Sequence, residues 1–198
     1  MNYKFVFLLI LNGLFTSIGN GSEKIIAVKN VKYVVINTNF NQTKTEQDYL
    51  QKIRGNYARI NNVKKWSKII TKDVHESIES GELIYYYLNG ILEKVTEKNY
   101  GEMWQDESKY YFLNGKLSFV LERMFRYNRP FYYDQKAMRE NNDTEYFDFK
   151  KSTITETRNY LYRSKLFKQI FSIKNSSKIT EKEQVRLTKK YNFVIKNK

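Results

Sequence analysis

The stretch from Glu82 to Phe125, ELIYYYLNGILEKVTEKNYGEMWQDESKYYFLNGKLSFVLERMF, states one pattern twice. Each copy runs Glu, a Tyr-rich segment, Leu-Asn-Gly, one residue, Leu, and a second apolar segment. Asn and Gly both tolerate the positive φ of a type I′ turn, so Asn-Gly between apolar runs is a strong signal for a two-residue hairpin. A degraded third copy follows. Glu82, Glu107 and Glu156 open the units, and Tyr86, Tyr111 and Tyr160 sit at one common offset. Asn89-Gly90, Asn114-Gly115 and Arg163-Ser164 take the turns, and Leu92, Leu117 and Leu166 follow them. Identical spacing in every copy marks an internal repeat, with units at about 82–97, 107–122 and 156–171. The fold this predicts is α+β: one antiparallel meander of about five to seven strands, with an N-terminal and a C-terminal helix packed on one face.

Met1 to Gly21 has the form of a signal peptide. Lys4 supplies the positive n-region, FVFLLILNGLF the apolar h-region, and Ser17, Gly19 and Gly21 the small residues at alternate positions. Cleavage is expected after Gly19 or Gly21, and the apolar run is shorter than an ordinary spanning helix. The mature chain, 22–198, is then a single exported domain, periplasmic or secreted, with no transmembrane span. Lys24 to Phe40 is β-branched and reads as a strand. Residues 41–65 read as a helix, with Thr43 and Glu46 as a capping box and Leu50, Ile53, Tyr57 and Ile60 as one apolar stripe. The stretch 66–81 fits neither period. Pro130, the one proline, excludes a central strand at its position, so a strand end is expected near Asn128 and a long loop at about 134–144. A polar loop at 174–178 precedes a second capping box, Thr180 with Glu183, and a final helix carrying Val185, Leu187, Tyr191, Val194 and Ile195.

The chain has no cysteine and one histidine, His75. Disulfides, thiolate chemistry and Cys-ligated zinc are excluded, and a His-based triad or multi-His metal site has too few residues. His75 lies in a polar stretch and reads as a solvated loop residue. There is no Gly-rich phosphate loop. Neither a cofactor nor a metal is expected. The formal charge is +14, and signal cleavage removes only Lys4, leaving about +13. That favours polyanionic partners. Acids are scattered among the bases, so the basicity reads as diffuse, and export argues against nucleic acid.

YYYLNGILEKV and YYFLNGKLSFV resemble MORN-type repeats in their bacterial variant, in which a Tyr-rich strand, an Asn-Gly turn and a Leu recur about every 25 residues. Here Asn89 to Asn114 spans that interval, and Tyr100-Gly101-Glu102 also suits such a repeat. The whole chain is similar to small uncharacterised exported proteins with these hairpins and a Tyr-Asn-Arg-Pro segment, here Tyr127 to Pro130. The resemblance implies contact with lipid or protein, and no catalysis. The long insert before the third copy departs from a tidy repeat array.

A two-residue turn sets which residues face each other. Counting out from the turns, Tyr87 opposes Leu92, Tyr85 opposes Lys94, Phe112 opposes Leu117, Tyr110 opposes Phe119, and Leu161 opposes Leu166. These pairs predict an apolar core face. The other face then carries Tyr86, Tyr111 and Tyr160 with Lys109, Lys116, Arg158 and Lys165, an aromatic row flanked by cations. Such a surface suits an anionic envelope component, a lipid headgroup or acidic polysaccharide, or else a partner protein. It is also what a solvated sheet face looks like. The same count sets Glu82 opposite Glu97 and Glu107 opposite Glu122, carboxylate pairs that would suit a retaining hydrolase or a hard cation. The expected function is thus an exported, non-enzymatic binding protein. The alternatives are a secreted inhibitor or immunity factor acting through a loop at 127–144, and a carboxylate-pair hydrolase.

Overall fold

A computed structural model describes residues 24–28, 31–37, 44–74, 81–162, 165–172 and 181–198, with backbone alone for the first two strands and for residues 44–45. The signal segment, His75 and the third turn at 163–164 lie outside the described residues, as do the polar loop at 174–178 and both capping-box threonines. The elements are β1 (Lys24–Val28), β2 (Val31–Asn37), α1 (Lys44–Asn61), β3 (Lys68–Val74), β4 (Gly81–Leu88), β5 (Ile91–Gly101), β6 (Trp104–Leu113), β7 (Lys116–Arg126), α2 (Gln135–Glu140), β8 (Thr153–Tyr162), β9 (Lys165–Phe171) and α3 (Glu181–Lys196). All strands join one nine-stranded antiparallel sheet in the order β1-β2-β9-β8-β7-β6-β5-β4-β3. Strands β3 to β9 form an uninterrupted meander, so the fold is α+β as the repeats predict. The single strand expected over 24–40 is a hairpin of two, and the ambiguous 66–81 stretch supplies edge strand β3.

Both Asn-Gly turns have the left-handed geometry that selects them. Asn89 and Gly90 have φ of 50° and 79°, and Asn114 and Gly115 have 52° and 71°. Beyond each turn the register departs from a simple count. Tyr87 faces Leu92, but Tyr86 faces Lys94, so Glu93 is an extra residue. Phe112 faces Leu117 while Tyr111 faces Phe119, leaving Ser118 over. Leu161 faces Leu166 while Tyr160 faces Lys168, leaving Phe167 over. The same β-bulge recurs at the same place in every unit, and a bulge shifts all later partners by one. Tyr85 therefore faces Val95 rather than Lys94, and Tyr110 faces Val120 rather than Phe119.

The helices lie on opposite faces of the sheet, not together on one. Leu50, Ile53 and Ile60 of α1 pack on Tyr111, Phe119, Leu121 and Tyr160. Val194 of α3 packs on the other side with Leu83, Tyr85, Val95, Tyr110, Phe112, Leu117, Val120 and Leu161. The reason is in the strands. Consecutive aromatics, Tyr85-Tyr86-Tyr87 and Tyr110-Tyr111-Phe112, give both faces an apolar half near the turns. Each face needs its own cover, and each fully covered aliphatic or aromatic side chain contributes roughly 1.5–3 kcal/mol. Polar anchors set the helices. Asn56 Nδ2 donates to the Phe112 carbonyl oxygen at 2.8 Å, and Arg59 pairs with bulge residue Glu93. On the other side the Tyr85 hydroxyl donates to the Val194 carbonyl at 2.8 Å.

Candidate functional site

The aromatic row expected to bind a ligand is largely the floor beneath α1. Tyr111 is 1% exposed and Tyr160 7%. The Tyr111 ring lies 5.0 Å from that of Tyr57, its hydroxyl donates to Asn61 at 3.3 Å, and burial pushes its pKa up. Tyr160 stacks at 5.0 Å on Phe119. Tyr86, half-buried, tilts against Trp66, and Lys94 Nζ sits 4.2 Å from the Tyr86 ring centroid and 5.5 Å from that of Trp66. Burial first, and then the neighbouring charge of Lys109, lowers the Lys94 pKa, while Glu107 opposes them. Lys109 pairs with Glu107 at 2.8 Å and Arg158 with Glu156 at 2.7 Å. Lys116 and Lys165 are exposed and stand just after their turns. The structure thus brings the three tyrosines onto one face, covers two of them, and pairs two of the four cations with acids.

The facing carboxylates are also corrected. The bulges set Glu82 opposite Lys98 and Glu107 opposite Arg123, while Glu97 and Glu122 point to the α3 face. Farther from the turns on the α1 face runs an alternating row, Glu82–Lys98–Glu107–Arg123–Glu156, read from strand to strand. Lys98 meets Glu82 at 2.8 Å and Arg123 meets Glu156 at 2.8 Å. The Glu82 pKa is lowered chiefly by the Lys98 hydrogen bond. Opposite charges directly across neighbouring strands stabilise pairing. No group of three His, Cys, Asp or Glu able to hold a metal occurs among the described residues.

On the α3 face a cavity of about 380 Å³ opens beside the helix, lined by Asp106, Ser108, Glu122, Glu183, Arg186 and Lys190 among others. Its charges satisfy one another. Arg186 donates to both Glu122 oxygens at 2.7 and 2.8 Å and also reaches Glu183 at 3.0 Å. Asn159 Nδ2 donates to Glu122 at 2.9 Å, and Lys190 Nζ lies 3.6 Å from it. Nearby, the buried Tyr110 hydroxyl donates to Glu97 at 2.6 Å.

The exposed apolar surface gathers at the strand ends away from the Asn-Gly turns, on the segment between β7 and β8. Phe131 and Tyr132 are each 57% exposed, Phe149 47% and Tyr146 40%, and next to them stand Met103 of the β5–β6 turn and Ile154. This insert is pinned rather than loose. Tyr127 N donates to the Met103 carbonyl and Phe131 N to the Glu102 carbonyl, both at 2.9 Å, so it folds back over the turn. Asn128 clamps its two arms, donating to the Tyr146 carbonyl and accepting from Asp148 N. Arg129 grips Asp143 through two hydrogen bonds at 3.2 and 3.1 Å, and Glu145 takes Lys151 at 2.7 Å. Rings stack beneath: Phe125 on Phe149 at 5.5 Å and Tyr127 on Phe147 at 5.2 Å. Asp134 caps the short helix α2 inside the expected loop. The loop expected over 134–144 marks this segment. Phe149, Tyr146 and Met103 go unnoticed in sequence, although the aromatic crowding of FRYNRPFYY and EYFDF signals them.

If Arg129 is the clasp, Arg129→Ala should raise chymotryptic cleavage within 127–149 several-fold while leaving the sheet's melting transition in place. Cleavage mapping by mass spectrometry checks this, and unchanged cleavage would show that Asn128 and the ring stack hold the insert unaided.

No helix among the described residues is long and apolar enough to cross a membrane. No protein-family model, no curated protein and no solved structure matches the chain.

Proposed function

We propose that the chain is an exported, non-enzymatic interaction protein that grips a partner protein through the insert 127–149, with Met103 and Ile154 at its border. The observation that carries this reading is the group of exposed aromatics on a hydrogen-bonded, pre-ordered segment. Contiguous exposed apolar surface marks interaction sites, and aromatic anchors dominate the energetics of interfaces. A segment already held in shape loses less entropy on binding. Charge separates protein from polyanion here. Residues 127–149 carry Arg129, Lys136 and Arg139 against Asp134, Glu140, Asp143, Glu145 and Asp148, an acidic balance within a chain of +14. A rigid aromatic loop of this kind is also what a secreted inhibitor or immunity factor would present, and the MORN-type resemblance points to protein or lipid contact as well.

The test is affinity capture from the cell's own envelope and secreted fractions. Wild type and a Lys116→Ser/Lys165→Ser variant should retain the same partner. Phe131→Ser/Tyr132→Ser/Phe149→Ser should lose it by tenfold or more, at about 1.4 kcal/mol per decade. Equal retention by the insert variant would overturn the reading.

A further inference from the structure

The cavity beside α3 is floored by two cross-strand rows. Ser108, Glu122, Thr157 and Phe171 stand opposite one another in turn across β6 to β9, and Asp106, Met124 and Thr155 form the next row. Helix α3 closes one side with Glu183, Arg186 and Lys190, whose spacing of three and four residues sets them on one helical face. The same face turns apolar at Val194, where it enters the core with Tyr85 and Phe112. Over the polar rows α3 therefore brings polar side chains, and a space of about 380 Å³ stays open between them. That is enough for a small metabolite.

Part of the wall is closed on itself, since Arg186 holds both Glu122 oxygens and reaches Glu183. Two groups keep bonding capacity to spare. The Asp106 carboxylate accepts one hydrogen bond, from the neutral Asn99 amide at 2.8 Å. Among the described residues no cation forms an ion pair with it. The Lys190 ammonium lies 3.4 Å from Ser108 Oγ and 3.6 Å from Glu122, and that carboxylate already has Arg186. Both contacts are long for an ammonium, whose charge-assisted bonds run to about 2.8 Å. Thr155 and Thr157 add hydroxyls that can donate or accept. The spare charges thus have opposite signs and stand at neighbouring places, because Lys190 meets Ser108, the next residue after Asp106 on the same strand face. Successive residues on one face are about 7 Å apart. A molecule with an ammonium and a carboxylate on one carbon bridges that gap with a hydrogen bond at each end.

We infer that this cavity binds a small zwitterion, an α-amino acid, with its ammonium on Asp106, its carboxylate on Lys190 and its side chain over Met124 and Phe171. An ion of one sign would use only one of the two spare groups. The thioether and the ring in the floor give an apolar side chain its contact. This site does not rest on the insert and its partner.

The test begins with thermal melts of the mature chain in millimolar L-leucine, L-methionine, L-phenylalanine or glucose. At least one of the amino acids should raise the melting temperature, and glucose should not. The amino acid with the largest effect is then titrated calorimetrically beside its own deaminated and decarboxylated analogues, each of which should bind about tenfold more weakly or worse. Asp106→Asn, which keeps the shape and an acceptor for Asn99, and Lys190→Met should each weaken binding about tenfold. Lys189→Ser, exposed on the same helix, should leave it unchanged. Circular dichroism and the ligand-free melt establish that each variant is folded. Four results would each overturn the site: no stabilisation by any of the amino acids, stabilisation by glucose alone, equal binding of either analogue, or full binding by both Asp106→Asn and Lys190→Met.

Discussion

Phe112→Asp should leave the chain unfolded. Phe112 is 3% exposed, its ring packs in the α3-side core 6.3 Å from Tyr191, and its carbonyl anchors α1 through Asn56. Truncating a buried Phe costs about 3–5 kcal/mol, and burying an unpaired carboxylate adds to that. The sum rivals the whole stability of a domain, roughly 5–15 kcal/mol. Lys116→Asp, exposed just beyond the turn, should change stability by no more than about 0.5 kcal/mol. Urea and thermal melts of the two variants decide this. Comparable melts would mean that Phe112 is not in the core.

Arg186→Met should have the next largest effect. Glu122 sits on the α3 face with its carboxylate taken by Arg186, Lys190 and Asn159. Burial alone would raise its pKa. The hydrogen bonds and charge of Arg186, helped by Lys190 and Asn159, outweigh burial and hold it below the ordinary 4.5. Removing the guanidinium leaves a buried anion under-compensated. That costs about 3 kcal/mol, the low end of the range for broken buried pairs, since Arg186 keeps a wet edge. The sign of the pH dependence follows from the depressed pKa. The pair's contribution is fully present above pH 4.5 and is lost as pH falls through the folded value, where Glu122 takes a proton. The stability gap between wild type and Arg186→Met should therefore be widest near neutrality and shrink in acid. A gap that widened in acid would contradict this assignment.

The repeat made the meander legible. Asn89-Gly90 and Asn114-Gly115 fix hairpins through their positive φ, and the stripe Leu50, Ile53, Ile60 fixes α1. The bulges were not legible. Glu93, Ser118 and Phe167 carry no residue signature in common, yet each shifts its strand by one position. That single shift sets Glu82 opposite Lys98 and Glu107 opposite Arg123 in place of the expected carboxylate pairs. Two-sided burial was written in the consecutive aromatics of YYY and YYF, because a strand solvated on one face alternates while one covered on both does not. Taking alternate tyrosines as a solvated row set Tyr111 and Tyr160 on a working face, where α1 in fact lies.

The proposed contact through the 127–149 insert is tested most directly by site-specific photo-crosslinking in intact cells. A photoreactive residue replaces, one at a time, Phe131, Tyr132 and Phe149 on the insert, and Ile69, Ile91 and Val185 as exposed apolar positions elsewhere. The account predicts a discrete adduct of one mass from the insert positions and none from the other three. Adducts from Ile69, Ile91 or Val185 with none from the insert would contradict it.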